Sequence, residues 1–135
     1  MARQPLPPVA LVVGFIDCIN RGDLAGLEAL MTDDHTLVVL DEASTVGRSA
    51  NVDAWKGYFA AFPEYVIHPR HIASAGSLVA VLGATTGSHL GLPDDDELEL
   101  GVIWVAETSD GKVARWCVAD DTAERRAQLD IPTDA

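Results

Sequence analysis

The stretch LELGVIWVAETSDGKVARWCVAD, residues 98–120, decides the fold. Its centre, Ser109-Asp110-Gly111-Lys112, has the turn chemistry of a tight hairpin. Apolar residues rich in Val, Ile and Trp flank the turn on both sides, so the sequence predicts paired strands over Leu98–Glu107 and Val113–Asp120. Upstream, Ser77–His89 reads as a longer strand carrying Gly83 and Gly87, the kind of glycines that mark bends or bulges. Tyr65–Ser74 reads as a strand weakened by Pro69. The acidic segment Gly91–Glu97, with Asp94, Asp95, Asp96 and Glu97 in a row, reads as a solvated loop between them. The second half of the chain is therefore a meander of bent strands.

The first half has a different period. Val9, Val12, Val13, Ile16 and Ile19 repeat at helical spacing behind Pro8, and Gly22 supplies a C-terminal cap. Asp23 opens a short second helix with Leu24, Leu27, Leu30 and Met31 on one side. A strand is expected over His35–Asp41, then a third helix over residues 49–62, where Trp55, Tyr58, Phe59 and Phe62 recur on one face until Pro63. Three helices followed by a mostly antiparallel sheet make an α+β fold: a curved sheet wrapped into a cone with an apolar pocket, closed by a short C-terminal helix. With 135 residues, a single domain with its core over about residues 8–130 is expected.

Composition narrows the function. Nine Lys and Arg against 21 Asp and Glu give a net charge of −12, which repels phosphate backbones and anionic lipid headgroups. Neither nucleic acid nor membrane is an expected partner. The longest apolar run, Val9–Ile16, is too short to cross a bilayer, and no cleavage site follows it. Two cysteines, Cys18 and Cys117, make no disulfide framework, and a cytoplasmic location follows from free thiols. No spacing of ligands suits a metal, and no glycine-rich loop opens a helix to cradle a phosphate, so no cofactor is expected.

The order of elements, with the phrases Asn20-Arg-Gly-Asp23-Leu, Leu30-Met-Thr-Asp-Asp34, Gly47-Arg48, Thr86-Gly-Ser-His-Leu-Gly91 and Asp110-Gly-Lys-Val113, resembles the nuclear transport factor 2-like superfamily. Within it, the chain is most similar to the SnoaL-like polyketide cyclase and ketosteroid isomerase branch. The resemblance implies a cystatin-like cone and a set of catalytic positions. The isomerases' general base falls on Val39, and their second acid at or beside Ile103, with Trp104 as its neighbour. The cyclases' and epoxide hydrolases' acid falls on Val118, and the cyclases' histidine on Val105. All of these are apolar here, and none can move a proton.

What remains is an apolar-lined pocket with polar residues near its ends. Phe15, Ile19, Leu37, Val39, Trp55, Tyr58, Phe59, Phe62, Ile103, Val105, Trp116 and Val118 are the expected ligand-binding residues. Asp120, Asp41 and His35 are the candidate acids or bases. Two of them also have a structural reading: Asp120 as a solvated strand end, His35 as a partner of a backbone carbonyl. Asp121 is expected to cap the last helix through Asp121-Thr-Ala-Glu124. His68 and His71 are expected on opposite strand faces, and His89 at the surface. The leading expectation is a protein that binds a small, largely apolar molecule. The alternatives are a cofactor-independent isomerase, cyclase or lyase using a relocated acid, and a dimeric interaction subunit with a vestigial pocket. A homodimer is expected through the outer sheet face, with Val102, Trp104 and Cys117 in the contact.

Overall fold

The computed structural model describes residues 7–39 and 42–129. Helix α1 (Pro8–Arg21) begins on a proline, whose missing N–H would have been an orphan at that position anyway. It ends at Gly22, which takes φ 63°, a left-handed conformation that a side chain resists. Its buried stripe is Leu11, Val12, Phe15, Ile16, Cys18 and Ile19, while Val13 faces solvent. The apolar face is thus rotated from the one its valines predicted. Helix α2 (Leu24–Leu30) starts on Asp23, whose carboxylate accepts the Gly26 N–H at 2.9 Å.

No loop separates α2 from the first strand. β1 (Met31–Val39) begins at once, four residues before the expected strand start at His35, so Asp33 and Asp34 lie inside it. The register against its neighbour is interrupted between Met31 and Thr36, which accommodates the two acids on an exposed, irregular stretch. Asp33 pairs with Arg48 at 2.9 Å. After β2 (Thr45–Val46), helix α3 (Arg48–Ala61) follows, close to its expected span. The remaining elements are β3 (Val66–Ala75), β4 (Leu78–Thr86), a one-turn helix α4 (Asp94–Glu97), β5 (Val102–Ser109), β6 (Lys112–Asp120) and α5 (Ala123–Gln128). The acidic segment expected as a solvated loop contains α4. Its last residue, Glu97, is buried.

The six strands form one sheet in the order β2-β1-β6-β5-β4-β3. Every pairing is antiparallel except β1 with β6, which is parallel. The three N-terminal helices, the antiparallel meander and the short last helix are as the sequence predicted. One face of the sheet, here called inner, carries Val79, Val81, Trp104, Ala106, Val113 and Trp116 in a single core with α1. The opposite face carries a smaller cluster of Ala80, Leu82 and Ile103, packed with Val105 and Leu129.

This assignment corrects the expected parity of β5. Trp104 sits opposite Val118, and Val102 opposite Asp120, so both face inward. Ile103 and Val105 face outward and are not on the pocket side. Of the three residues expected in an outer dimer contact, only Cys117 lies on that face, opposite Val105. Strand alternation fixes all five positions once one is known. A second correction comes from β3. Its register slips between Pro69 and His71, leaving Arg70 as an extra residue. His68 stands opposite Ala84 and His71 opposite Leu82, so the bulge brings both histidines to the same face. His68 Nε2 lies 2.9 Å from the Thr86 hydroxyl.

Beyond the sheet, Asp121 does not cap α5. Thr122 does, accepting the Arg125 N–H at 3.1 Å. Asp121 instead accepts two hydrogen bonds from Arg126, at 2.6 and 2.7 Å, which hold its carboxyl below the usual range.

Gly83 lies beside the β3 bulge. A Cβ there would collide with the His68 carbonyl oxygen, which belongs to the sheet backbone. Gly83→Ala is therefore expected to destabilise the fold by about 1–3 kcal/mol, the usual cost of overpacking. Urea denaturation with an unchanged m-value would check this, and an unchanged midpoint would refute it.

Candidate functional site

A cavity opens between α3 and the inner face of β1, β6 and β5. It has two lobes, each of about 320 Å³, within the range of about 300–1,000 Å³ seen for small-molecule sites. Val39, Tyr58, Tyr65, His89 and Val118 border both lobes, so the two form one continuous cleft. The first lobe adds Leu37, Glu42, Ala54 and Trp55 on the helix side. The second reaches along the sheet to Thr85, Ser88, Val102, Trp104 and Asp120.

The floor is made by register. Val39 of β1 stands beside Val118 of β6, and Val118 beside Trp104 of β5. Three positions at or next to those where the resemblance places acids in active relatives are thus neighbours on one face, and all three are apolar. Nothing on this floor can exchange a proton.

The polar groups lie at the walls. Tyr58 projects from α3 to His89, its hydroxyl 2.9 Å from Nδ1. The same oxygen accepts the His89 backbone N–H at 3.3 Å, so ring and backbone of His89 both hold the Tyr58 hydroxyl in place. Tyr65 meets Tyr58 edge to face, with ring centroids 4.9 Å apart. Burial pushes the hydroxyl pKa of Tyr58 up, and burial raises that of Tyr65 well beyond its ordinary value, with Tyr58 and Glu97 adding to it. Both therefore remain neutral donors at physiological pH.

Glu97 is the group that sequence reasoning missed. It is 1% exposed, although its three acidic neighbours in α4 face solvent. The Thr85 hydroxyl donates to its Oε2, and the Ser88 backbone N–H to its Oε1 at 3.4 Å. Arg70 anchors the end of α4 by donating to the Leu98 carbonyl at 2.8 Å. Within a run of four acids, the only sequence signal for Glu97 is its position next to Leu98.

The expected site residues divide. Leu37, Val39, Trp55, Tyr58 and Val118 line the cleft. Phe15, Ile19 and Trp116 lie deeper, in the core between α1 and the sheet, with the Phe15 and Trp116 rings 4.9 Å apart. Phe59 stacks behind Trp55 at 5.5 Å, and Phe62 supports Tyr58 at 4.8 Å; neither borders the cleft. Ile103 and Val105 are on the other face of the sheet. Asp120 borders the second lobe from an exposed strand end. Asp41 lies outside the described residues. His89, expected as a surface residue, is exposed and also borders both lobes.

His35 is fully buried, beside Phe15 rather than in the cleft. Its Nδ1 donates to the Val113 carbonyl at 2.6 Å, tying β1 to β6. Asn51 of α3 donates to the His35 carbonyl at 2.9 Å and also reaches the carbonyls of Thr45 and Gly47. His35 Nε2 has no hydrogen-bond partner. Burial lowers the imidazole pKa, more than the Val113 bond and Asp34 raise it.

Residues 12–116 match the profile of the SnoaL-like domain, and the chain belongs to this family. It has the cystatin-like, nuclear transport factor 2-like fold. Among solved structures it is similar to a Sinorhizobium meliloti protein named as a candidate polyketide cyclase, at 23% identity over 84% of this chain and 95% of the other, with a TM-score of 0.69. SalBIII, an epoxide hydrolase/cyclase-like enzyme of pyran-ring formation in the polyether salinomycin, is 20% identical over 85% and 91% of the two chains, with a TM-score of 0.68. TerC, crystallised with polyporic acid, is 16% identical over 93% and 99%, with a TM-score of 0.70. No curated protein is similar enough in sequence to register as a relative. Among the described residues, no helix is long and apolar enough to cross a membrane.

The environment of His35 gives a pH dependence. Protonating Nε2 places an N–H where the protein offers no acceptor, so the folded-state pKa lies below the unfolded value of 6.5. The stabilisation is complete above that value and is lost as pH falls through it, because the unfolded chain takes up the proton first. Melting curves at pH 7.5 and pH 5.5 should show wild type losing stability on acidification and His35→Gln losing less. Equal losses in both proteins would overturn this account.

Proposed function

We propose that this chain binds a small, largely apolar molecule in the two-lobed cleft, with a polar group of that molecule meeting the cleft walls. The observation that carries this reading is the floor itself, where Val39, Val118 and Trp104 stand together beneath aromatic walls. Apolar surface enclosed in this way recovers free energy when water leaves it, about 25 cal/mol per Å². The neutral hydroxyl of Tyr58, held by His89, supplies direction without charge. TerC, co-crystallised with polyporic acid, supports the reading by likeness of fold. The net charge of −12 supports a ligand other than nucleic acid or an anionic membrane, and a cytoplasmic site of action fits the two free thiols.

Native mass spectrometry of the purified protein should reveal an apolar molecule travelling with it. Val118→Trp fills the junction of both lobes. Calorimetric titration with 2-naphthol should show at least tenfold weaker binding to this variant than to wild type, with the fold intact by circular dichroism. Equal affinity would place binding elsewhere.

A second reading is favoured by Asp120, which shares the inner face of β6 with Trp116 and Val118 at the rim of the second lobe. Here the chain is a cofactor-independent isomerase, cyclase or lyase, and Asp120 moves the proton. Wild type should then convert the co-purified molecule to a product, and Asp120→Asn should not. Unchanged turnover in Asp120→Asn would remove Asp120 from that role. A second copy of the chain, in either reading, would meet the outer face at Val105 and Cys117 rather than at Val102 or Trp104.

A further inference from the structure

We infer that Glu97 sets the chemistry of the second lobe, which takes an apolar molecule bearing a neutral hydroxyl and rejects one ending in a carboxylate. This deepens the binding reading above and rests on it.

Glu97 does not border the cleft; Thr85 and Ser88, which its carboxyl holds, do. Thr85 is on the inner face of β4, opposite the buried Ile67. It commits its only hydroxyl proton to Glu97. The oxygen keeps lone pairs and has no hydrogen left to offer, so Thr85 acts toward the lobe as an acceptor. Ser88 is arranged the other way. Its backbone N–H is held by Glu97, and its hydroxyl oxygen accepts the Leu90 N–H at 3.2 Å, which leaves the Ser88 proton to donate. The two side chains therefore present one acceptor and one donor, both set by Glu97 or its neighbouring turn. An alcohol or phenol satisfies the pair, giving its proton to Thr85 and accepting the proton of Ser88. A ketone can use only Ser88 and leaves Thr85 facing apolar surface, a loss for a buried polar group. A carboxylate has no proton for Thr85 and also meets Asp120 on the border of the same lobe. Among the described residues lining either lobe, none is Lys or Arg.

Glu97 is thus a positioning residue acting through Thr85. Glu97→Gln separates this role from a merely structural one. Turned so that its amide donates to Thr85, Gln releases the hydroxyl proton toward the lobe and converts the acceptor into a donor. The probes are 2-naphthol, 2-acetonaphthone and 2-naphthoate, which share one apolar body and differ in the polar group. Each is titrated calorimetrically into wild type and Glu97→Gln at pH 7.5. Wild type is expected to bind 2-naphthol at least tenfold tighter than 2-acetonaphthone, and 2-naphthoate most weakly. In Glu97→Gln the preference for naphthol over acetonaphthone should shrink at least fivefold. Wild type that binds naphthoate or acetonaphthone as tightly as naphthol overturns the inference and leaves the cleft as an unselective apolar site. An unchanged ratio in a folded Glu97→Gln overturns the role of Glu97. If Glu97→Gln does not fold, Thr85→Val serves instead and must lose the same discrimination. If none of the three probes binds wild type, the binding reading itself falls.

Discussion

The parallel contact between β1 and β6 is the constraint on which the rest of the structure depends. Among the described residues it is the only parallel pairing in the sheet, and it joins the first strand to the last. Parallel neighbours cannot be closed by a short turn. The chain must travel through α3 and the whole meander before the second partner exists. His35 holds this contact from inside the core, through its bond to Val113. Asn51 then ties α3 to the same stretch of β1. Once β1 and α3 are fixed against β6, a gap remains between helix and sheet, and that gap is the cleft.

The cleft is therefore a by-product of topology, and its chemistry comes from a different source. The floor inherits its character from strand residues whose neighbours are set by register. The walls come from Tyr58 and Tyr65 on either side of the α3–β3 connection and from Thr85, Ser88 and His89 at the end of β4 and just after it, with Glu97 of α4 behind them. Such an arrangement lets a family keep one fold while the polar groups change. In this chain, the two valines and the tryptophan of the floor leave the walls to do whatever recognition occurs.

Much of the fold was legible in the sequence because periodicity and punctuation agreed. Pro8 and Gly22 bracket α1, Asp23 caps α2, and Asp110-Gly111 turns the last hairpin. The missed elements were short ones, β2 and the one-turn α4, and the other failures were of face. Alternation specifies that Trp104 and Ile103 point opposite ways, but not which way. Only the cross-strand partner decides that, and a partner is not visible in one strand's own pattern. The bulge at Arg70 reversed the relation between His68 and His71 for the same reason. Of the site, the apolar lining from β1, β6 and α3 was readable as hydrophobic stripes. The deeper residues Phe15, Ile19 and Trp116 have the same pattern and serve the core instead, because burial between α1 and the sheet and burial against a cleft leave one signature. Glu97 was hidden by its company. Three exposed aspartates precede it, and a one-turn helix gives no periodicity from which to pick out its inward side chain.

The three tryptophans are distributed in a way that has a practical consequence. Trp55 borders only the helix-side lobe, Trp104 only the lobe along the sheet, and Trp116 neither, packed instead against Phe15. Indole emission depends on what touches the ring, so the chain carries its own optical reporters. Each lobe has one, and the third supplies an internal reference in the core. A molecule entering one lobe changes the light from one ring and leaves the others dark to its presence. Single-tryptophan versions of the protein can thus show which end of the cleft a guest prefers, in solution and without any label.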